Sequence, residues 1–245
     1  MLIDLSKIEY KGEGMSPLKK EIWKQISAKD TIIDVGCKQG WWMQDVNRVL
    51  EPEVYSKVIR IGIDPIDYPD RKGNGLFDVY VQTAIGSENK ESVKFYKFDE
   101  PGCNSLLEPT AAFEETIVYD LGNLNAHNKP RKVTSIDEVR QMTLESVLNT
   151  LNNHTNLKTD SLYYVKTDCQ GTDFRAIKSL GPYIENVQYI EMEVGLDVER
   201  PLYHGSDSIE EILEEMEKLG FEPIQFSSFP LAPQPEGELL FKRKE

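Results

Sequence analysis

Short apolar runs alternate with amphipathic segments along most of the chain. Runs rich in β-branched residues predict buried strands near 31–35, 58–63, 77–84, 162–166 and 187–194. Apolar residues three and four positions apart predict helices near 41–50, 143–151, 172–180 and 208–219. Strands that alternate with helices in this way predict a mostly parallel sheet with helices on both faces.

The ends and the middle of the chain depart from this alternation. Ser16-Pro17 opens an amphipathic helix, which makes residues 1–29 an N-terminal helical extension that lies against the sheet. Residues 221–226 and 238–241 predict a closing antiparallel hairpin. A short strand is expected at 92–98, and the Pro-, Gly- and Asn-rich stretch 99–135 predicts a functional loop or lid. We expect a single domain over residues 1–245.

Two glycines four residues apart follow the first predicted strand. In Thr31-Ile-Ile-Asp34-Val-Gly36-Cys-Lys-Gln-Gly40 the strand ends near an acidic residue and leads into a glycine turn. Glycine tolerates positive φ and lets backbone approach a ligand closely. The next strand ends in Asp64, a carboxylate that suits both hydroxyls of a ribose. The two features together predict a Rossmann-like adenosine site.

The spacing of the glycines narrows the choice of adenosine ligand. Gly36-x-x-x-Gly40 departs from the G-x-G-x-x-G of pyrophosphate binders. A carboxylate at Asp34 suits a ligand with an ammonium group better than one with phosphates. S-adenosylmethionine has a cationic sulfonium, an amino acid end and no phosphate, and therefore fits better than NAD. The alternatives are a nicotinamide-dependent reductase and a non-catalytic adenosine-binding module.

Charge and composition restrict the partners. The net charge is −14, with 42 acidic against 28 basic residues, which disfavours nucleic acid and anionic membranes as partners. No apolar run approaches the ~20 residues of a membrane span, and residues 1–9 lack the features of a signal peptide. The three cysteines are scattered without CxxC spacing. We therefore expect a soluble cytoplasmic protein.

A segment in the second half of the chain resembles a known family. Lys166-Thr-Asp168-Cys-Gln170-Gly171-Thr-Asp173 is similar to the K-x-D-x-[EQ]-G-[AST]-[ED] segment of FkbM-type S-adenosylmethionine-dependent methyltransferases. Further similar segments follow the family's order and cover about residues 30–243: Asp34–Gly40, Ile61–Pro65, Thr83–Gly86, Asn104–Leu107, Tyr189–Val194, Pro201–Gly205 and Gly237–Phe241. Cys37-Lys38 and Thr172-Asp173 depart from the usual Ala-Asn and Ala-Glu.

The resemblance implies a Rossmann-like class I methyltransferase fold and O-methylation of a hydroxyl on a sugar, glycan or other small metabolite. It leaves the oligomeric state open. Residues 99–135 then become an acceptor-side insertion. The implied cofactor contacts are with the methionine portion, the ribose and the adenine, in that order along the chain: Asp34, Gly36, Cys37, Gly40, Asp64, Pro65, Thr83 and Ala84.

Deprotonation of a hydroxyl needs a base, and Asp168 at a strand end is the first candidate. Its alternative role is to cap the helix that begins near Thr172. Lys166 is expected to orient Asp168, to pair with it, or to act as the base if its own pKa is depressed. Glu193 completes the group, and with Asp168 it is a candidate ligand for Mg²⁺.

Residues outside these strands are candidates for binding the acceptor. His204 lies in the loop after the strand that carries Glu193 and is a further catalytic candidate. Asn104, Ser105 and Tyr203 offer the amide and hydroxyl hydrogen bonds that a sugar would use.

Overall fold

The computed structural model describes residues 5, 8–10, 15–68, 75–115, 132–154, 159, 161–228 and 236–245. The strands are β1 Glu9–Tyr10, β2 Thr31–Val35, β3 Ile59–Ile63, β4 Val79–Val81, β5 Ala84–Ile85, β6 Lys90–Phe98, β7 Val133–Met142, β8 Leu162–Thr167, β9 Val187–Gly195, β10 Phe221–Ser228 and β11 Glu236–Arg243. The α-helices are α1 Pro17–Trp23, α2 Trp41–Val49, α3 Pro52–Tyr55, α4 Ala111–Glu115, α5 Leu144–His154, α6 Asp173–Lys178 and α7 Ile209–Lys218. Short 3-10 helices span Pro101–Cys103 and Gly181–Asn186.

The main sheet has the strand order β1-β10-β11-β9-β8-β2-β3-β4. Strands β4, β3, β2, β8 and β9 pair in parallel, and β11 and β10 close the sheet as an antiparallel hairpin beside β9. Five parallel strands followed by a terminal antiparallel hairpin are the arrangement predicted for a Rossmann-like class I methyltransferase fold. The fold class is therefore confirmed.

Helices pack on both faces of the sheet. Successive side chains of a strand point to opposite faces, so neighbouring residues of β2 contact different helices. Ile33 of β2 belongs to a core cluster that includes apolar side chains of α5, α6 and α7. Ile32, on the opposite face, packs in a second cluster with α1 and α2. Helix α1 begins at Ser16, whose hydroxyl accepts the Lys19 N–H, and it lies on this second face.

A second sheet with the order β5-β7-β6 was not expected. The stretch predicted to be a loop ends in β7, whose residues are mostly exposed, so its sequence lacks the apolar alternation of a half-buried strand. The single strand expected at 77–84 is divided into β4 and β5, which belong to different sheets. Residues 116–131 of the expected insertion lie outside the described residues. Among the helices that the structure describes, none has the length and apolarity needed to span a membrane.

Candidate functional site

An open pocket lies where the parallel strands β2, β3 and β8 end. This is the edge of an open α/β sheet at which ligands usually bind. The residues that line it include several that the sequence analysis predicted: Gly36, Asp64, Pro65, Thr83, Ala84, Asn104 and Asp168. The apolar part of the lining is formed by Ile63, Ile85, Phe95 and Leu106. The pocket thus joins residues from both halves of the chain.

Gly36 is required by a close approach between two loops. Its φ is +72°, and a Cβ built on it would lie 1.9 Å from the carbonyl oxygen of Asp168. The Gly36 N–H donates to the Ile63 carbonyl at 2.8 Å, which fixes the turn to β3. Gly40, with φ +76°, begins α2 and does not line the pocket. Gly36 therefore lets the loop after β8 contact the loop after β2, and that contact brings Asp168 to the pocket.

Asp64 presents an oriented carboxylate to the same pocket. One carboxylate oxygen accepts the Lys38 N–H at 2.9 Å, and the other accepts the Ile66 N–H at 2.8 Å. The side chain is 6% exposed, and Lys38 has an unusual φ of 45° that aims its N–H at Asp64. These two hydrogen bonds fix the direction of the Asp64 carboxylate at the wall of the pocket.

Asp34 lies beneath the pocket as a buried acid. It is 1% exposed, and neither carboxylate oxygen has a hydrogen-bond partner. Burial raises the pKa of Asp34 to about 7; the charge of Lys166 opposes the rise and that of Asp168 adds to it. Asp34 does not line the pocket, whereas the next two residues, Val35 and Gly36, do. Its charge acts on the pocket through the electric field and not by contact.

Lys166 and Asp168 form an ion pair at the end of β8, with 3.1 Å between Nζ and Oδ2. Burial disfavours the charged form of Lys166, but the carboxylates of Asp168, Asp34 and Glu191 outweigh it and raise the pKa of Lys166 well above its ordinary value. The direction of this shift does not favour the alternative that Lys166 is the base through a depressed pKa. The ion pair with Lys166 orients Asp168.

The structure also answers the capping alternative for Asp168. The loop before α6 is held by Asp173, whose carboxylate accepts the N–H groups of Cys169 and Gly171 at 2.9 and 3.2 Å. Asp168 instead bonds to Lys166 and is 41% exposed at its side chain. Its carboxylate is thus available at the pocket wall.

Gln170 connects the acids, a role that the sequence analysis did not assign. Its Nε2 donates to Asp168 Oδ1 at 3.1 Å and also to Glu193 Oε2. Its Oε1 accepts from the Tyr203 hydroxyl at 2.8 Å. The backbone holds Gln170 at φ +53°, a region that non-glycine residues seldom occupy and that is often found at functional sites. The only signal in the sequence was its place in the family segment.

Glu193 faces away from this pocket, into a neighbouring cavity. Burial and the charges of Glu236 and Asp168 raise the pKa of Glu193 well above its ordinary value. The Gln170 side-chain amide donates to the carboxylates of both Asp168 and Glu193. The amide therefore occupies the position between the two carboxylates that a bridging metal ion would need. No group of three or more His, Cys, Asp or Glu side chains within the described ranges is placed to hold a metal. The Mg²⁺ expectation gains no support.

Other predicted residues have structural positions. Asn104 lines the pocket, and its Oδ1 accepts the Phe98 N–H at 2.9 Å. Ser105 is fully buried, and its hydroxyl donates to the Gln170 carbonyl at 2.7 Å. Tyr203 is buried, and its hydroxyl is engaged by Gln170. The structure therefore uses Ser105 and Tyr203 to hold Gln170 and does not place them in this pocket.

Two further predicted residues do not belong to the lining of the pocket. Cys37 is buried and does not line it. His204 is exposed at the surface, and its backbone N–H donates to the Glu108 carbonyl at 2.9 Å. The structure does not bring His204 together with Asp168.

No family model and no curated protein matches the sequence. Three solved structures are similar in fold, the first being a candidate rRNA methylase from Clostridium thermocellum, with a TM-score of 0.44, 10% sequence identity and coverage of 93% of this chain and 94% of that chain. The second is fibrillarin, a pre-rRNA processing protein from Methanococcus jannaschii, with a TM-score of 0.39, 12% identity and coverage of 94% of this chain and 75% of that chain. The third is the 1,6-didemethyltoxoflavin-N1-methyltransferase of Burkholderia thailandensis with S-adenosylhomocysteine bound, with a TM-score of 0.38, 10% identity and coverage of 93% of this chain and 83% of that chain. At these scores and identities the similarities identify neither a family nor a reaction for this chain.

Proposed function

We propose that the protein is an S-adenosylmethionine-dependent O-methyltransferase of the FkbM type. The observation that carries the proposal is the pocket itself, where Gly36, Asp64 and Asp168 meet at the carboxyl ends of three parallel strands. The similarity of the Lys166–Asp173 segment to that family points to the same function. The reaction would take place on small molecules in the cytoplasm.

The residues of the pocket fit the cofactor. The Asp64 carboxylate, held by two backbone N–H groups, is oriented to accept from the ribose hydroxyls. Ile85 and Phe95 offer apolar contact to adenine beside Thr83 and Ala84. Asp34 lies beneath the pocket with no hydrogen-bond partner for its carboxyl oxygens, and its ionised form would favour a cation above it. S-adenosylmethionine supplies an activated methyl group on a sulfonium when it is bound.

The side chains of the protein would handle the proton of the acceptor. Asp168 would accept the proton of the acceptor hydroxyl, since its carboxylate is at the pocket wall. Lys166 would keep Asp168 oriented through the ion pair between Nζ and Oδ2. Gln170 would hold Asp168 from the other side.

The acceptor would be a hydroxyl of a sugar, glycan or other small metabolite. A nucleic acid is disfavoured because the chain carries a net charge of −14.

Titration calorimetry with S-adenosylhomocysteine, with NADH as the comparison ligand, tests the cofactor. We expect one-to-one binding of the first ligand only. Asp64→Asn keeps the shape of the side chain and should weaken binding about tenfold to a hundredfold, since a hydrogen bond to a charged group contributes about 1.5–3 kcal/mol. Asp45→Asn, on the outer surface of α2, is the matched control and should bind as the wild type does. Binding of NADH alone would replace the proposal by the reductase.

Asp168→Asn tests the base. With methyl-labelled S-adenosylmethionine and a panel of hydroxylated acceptors, turnover should fall about 10²–10⁴-fold. Binding of S-adenosylhomocysteine should be largely kept, because Asn preserves the shape of the side chain. Full turnover in this variant would exclude Asp168 as the base and leave the cofactor assignment in place.

A further inference from the structure

The pocket at the ends of β2, β3 and β8 contains a cationic side chain that has no role in the proposed reaction so far. Lys38, in the loop after β2, belongs to its lining. Among the described residues of that lining there is no other lysine, arginine or histidine, whereas Asp64 and Asp168 are both acidic. An anionic group of a ligand would be repelled by the two acids, and of these charged side chains only Lys38 would attract it.

The backbone of Lys38 is fixed beside the proposed ribose site. Its φ is 45°, and its N–H donates to Asp64 Oδ2 at 2.9 Å. The side chain extends from that point to the 3-10 helix Pro101–Cys103, where a Cβ built on Gly102 would lie 3.0 Å from Lys38 Nζ. Gly102 also lines the pocket. The ammonium group of Lys38 therefore lies at the pocket wall, one side-chain length from the ribose site.

The ammonium group of Lys38 has an acidic partner at the rim of the pocket. Nζ lies 3.1 Å from Glu100 Oε1, and the side chains of Lys38 and Glu100 are 24% and 52% exposed. Ion pairs with this much exposure contribute little free energy. Glu100 Oε1 also accepts the Gly102 N–H at 3.2 Å, a bond that it would keep if Lys38 turned to another anion. Exchange of this partner would therefore cost little.

The amino acid end of S-adenosylmethionine carries two opposite charges. The ionised form of Asp34, beneath the pocket, would favour its ammonium group. Its carboxylate needs a cation or a hydrogen-bond donor, because burial of an unpaired charge is unfavourable. The amino acid end is joined to the ribose through the sulfonium, so the partner of the carboxylate must lie near the ribose site. Lys38 meets both requirements.

We propose that Lys38 binds the carboxylate of the amino acid end of S-adenosylmethionine, and that this carboxylate replaces Glu100 as its partner when the cofactor enters. The inference rests on the proposed function, because it assigns a residue to the same cofactor. Lys38 would thereby select ligands that keep the amino acid end over adenosine compounds that lack it.

Two ligands and one substitution test the role of Lys38. S-adenosylhomocysteine has the amino acid end, and 5′-methylthioadenosine has the same adenosine and thioether without it. Lys38→Met removes the charge and keeps the backbone N–H that Asp64 accepts. By titration calorimetry of the full chain we expect S-adenosylhomocysteine to bind about tenfold more weakly, as for the loss of a hydrogen bond to a charged group, and 5′-methylthioadenosine to change by less than about twofold. Lys38→Arg should restore most of the lost affinity.

Lys218→Met is the matched control, since Lys218 is an exposed lysine on α7 outside the pocket lining. It removes the same charge and should bind both ligands as the wild type does. An equal loss of S-adenosylhomocysteine binding in this control would indicate an effect of net charge and would overturn the proposal. Equal losses for both ligands in Lys38→Met, or no loss for either, would also overturn it.

Glu100→Gln tests the exchange of partners. Because the competing charge is removed, S-adenosylhomocysteine should bind about twofold to fivefold more tightly, the size expected for an exposed ion pair. Binding of 5′-methylthioadenosine should stay the same. Unchanged or weaker binding of S-adenosylhomocysteine would show that its carboxylate does not compete with Glu100, and would overturn the exchange.

The two proposals fail in different ways. A wild-type protein that binds neither ligand would remove the methyltransferase and the role of Lys38 with it. A wild-type protein that binds S-adenosylhomocysteine, with the same affinity in Lys38→Met, would leave the methyltransferase and remove only the role of Lys38.

Discussion

Asp34 is a buried acid that should destabilise the fold. It is 1% exposed, neither oxygen has a hydrogen-bond partner, and burial raises its pKa from 3.8 to about 7. A functional site often keeps such a group at a cost in stability. Asp34→Asn removes the charge and keeps the shape, so we expect this variant to be more stable than the wild type at neutral pH.

The size of the effect follows from the two pKa values. Between pH 3.8 and about pH 7 the folded protein holds a proton on Asp34 that the unfolded chain has released. The folded state therefore binds more protons at Asp34 in this window. The contribution of Asp34 to the free energy of unfolding falls as the pH rises and stays level above about pH 7. At about 1.4 kcal/mol per pH unit, the loss is about 2 kcal/mol at pH 5 and about 4 kcal/mol at pH 8.

Urea denaturation of the wild type and Asp34→Asn at pH 5 and pH 8 measures this loss. The unsatisfied amide of Asn costs the same at both pH values, so the gain in stability should be about 2 kcal/mol larger at pH 8 than at pH 5. Asp45→Asn, at a surface ion pair with Arg48, should change stability by less than about 1 kcal/mol. An equal gain at both pH values, or a less stable variant at pH 8, would refute the reasoning, since Lys166 would then be stabilising the ionised form.

Further predictions concern the backbone and the buried charges. Gly36→Ala should destabilise by more than about 3 kcal/mol or prevent folding, because its Cβ would meet the Asp168 carbonyl oxygen at 1.9 Å. Gly75→Ala, with φ +60° and no atom of the described residues within 4 Å of its Cβ, should cost about 1–2 kcal/mol. Similar costs of the two substitutions in thermal denaturation would contradict the close approach at Gly36. Lys19→Met should destabilise by about 3–5 kcal/mol because it removes the cation that lies 2.6 Å from the buried carboxylate of Glu191. If urea denaturation shows a cost below 1 kcal/mol for Lys19→Met, the ion pair between α1 and the sheet is not formed.

The buried strands were predictable, and the exposed ones were not. Thr31–Val35 is buried at every position, so its unbroken apolar run is typical of a central parallel strand. Val133–Met142 is a strand with mostly exposed residues, and its polar sequence carries no alternation that would distinguish it from a loop. It forms through pairing with Lys90–Phe98, a contact that no local pattern reveals.

The site divides in the same way. Asp64 could be placed from its position after a strand, because the ends of parallel strands meet at one edge of the sheet. The raised pKa of Lys166 could not be predicted from the sequence, because it depends on the strand register, which places Lys166 beside Asp34 on β2 and Glu191 on β9. The role of Gln170 depends on contacts with Glu193 and Tyr203, which come from distant segments.

A crystal structure of the protein with S-adenosylhomocysteine tests the central claim most directly. The account predicts that the ligand occupies the pocket at the ends of β2, β3 and β8, with its ribose hydroxyls on Asp64 and its thioether sulfur on the Asp168 side. A ligand bound elsewhere, or a pocket that stays empty at saturating ligand, would contradict it.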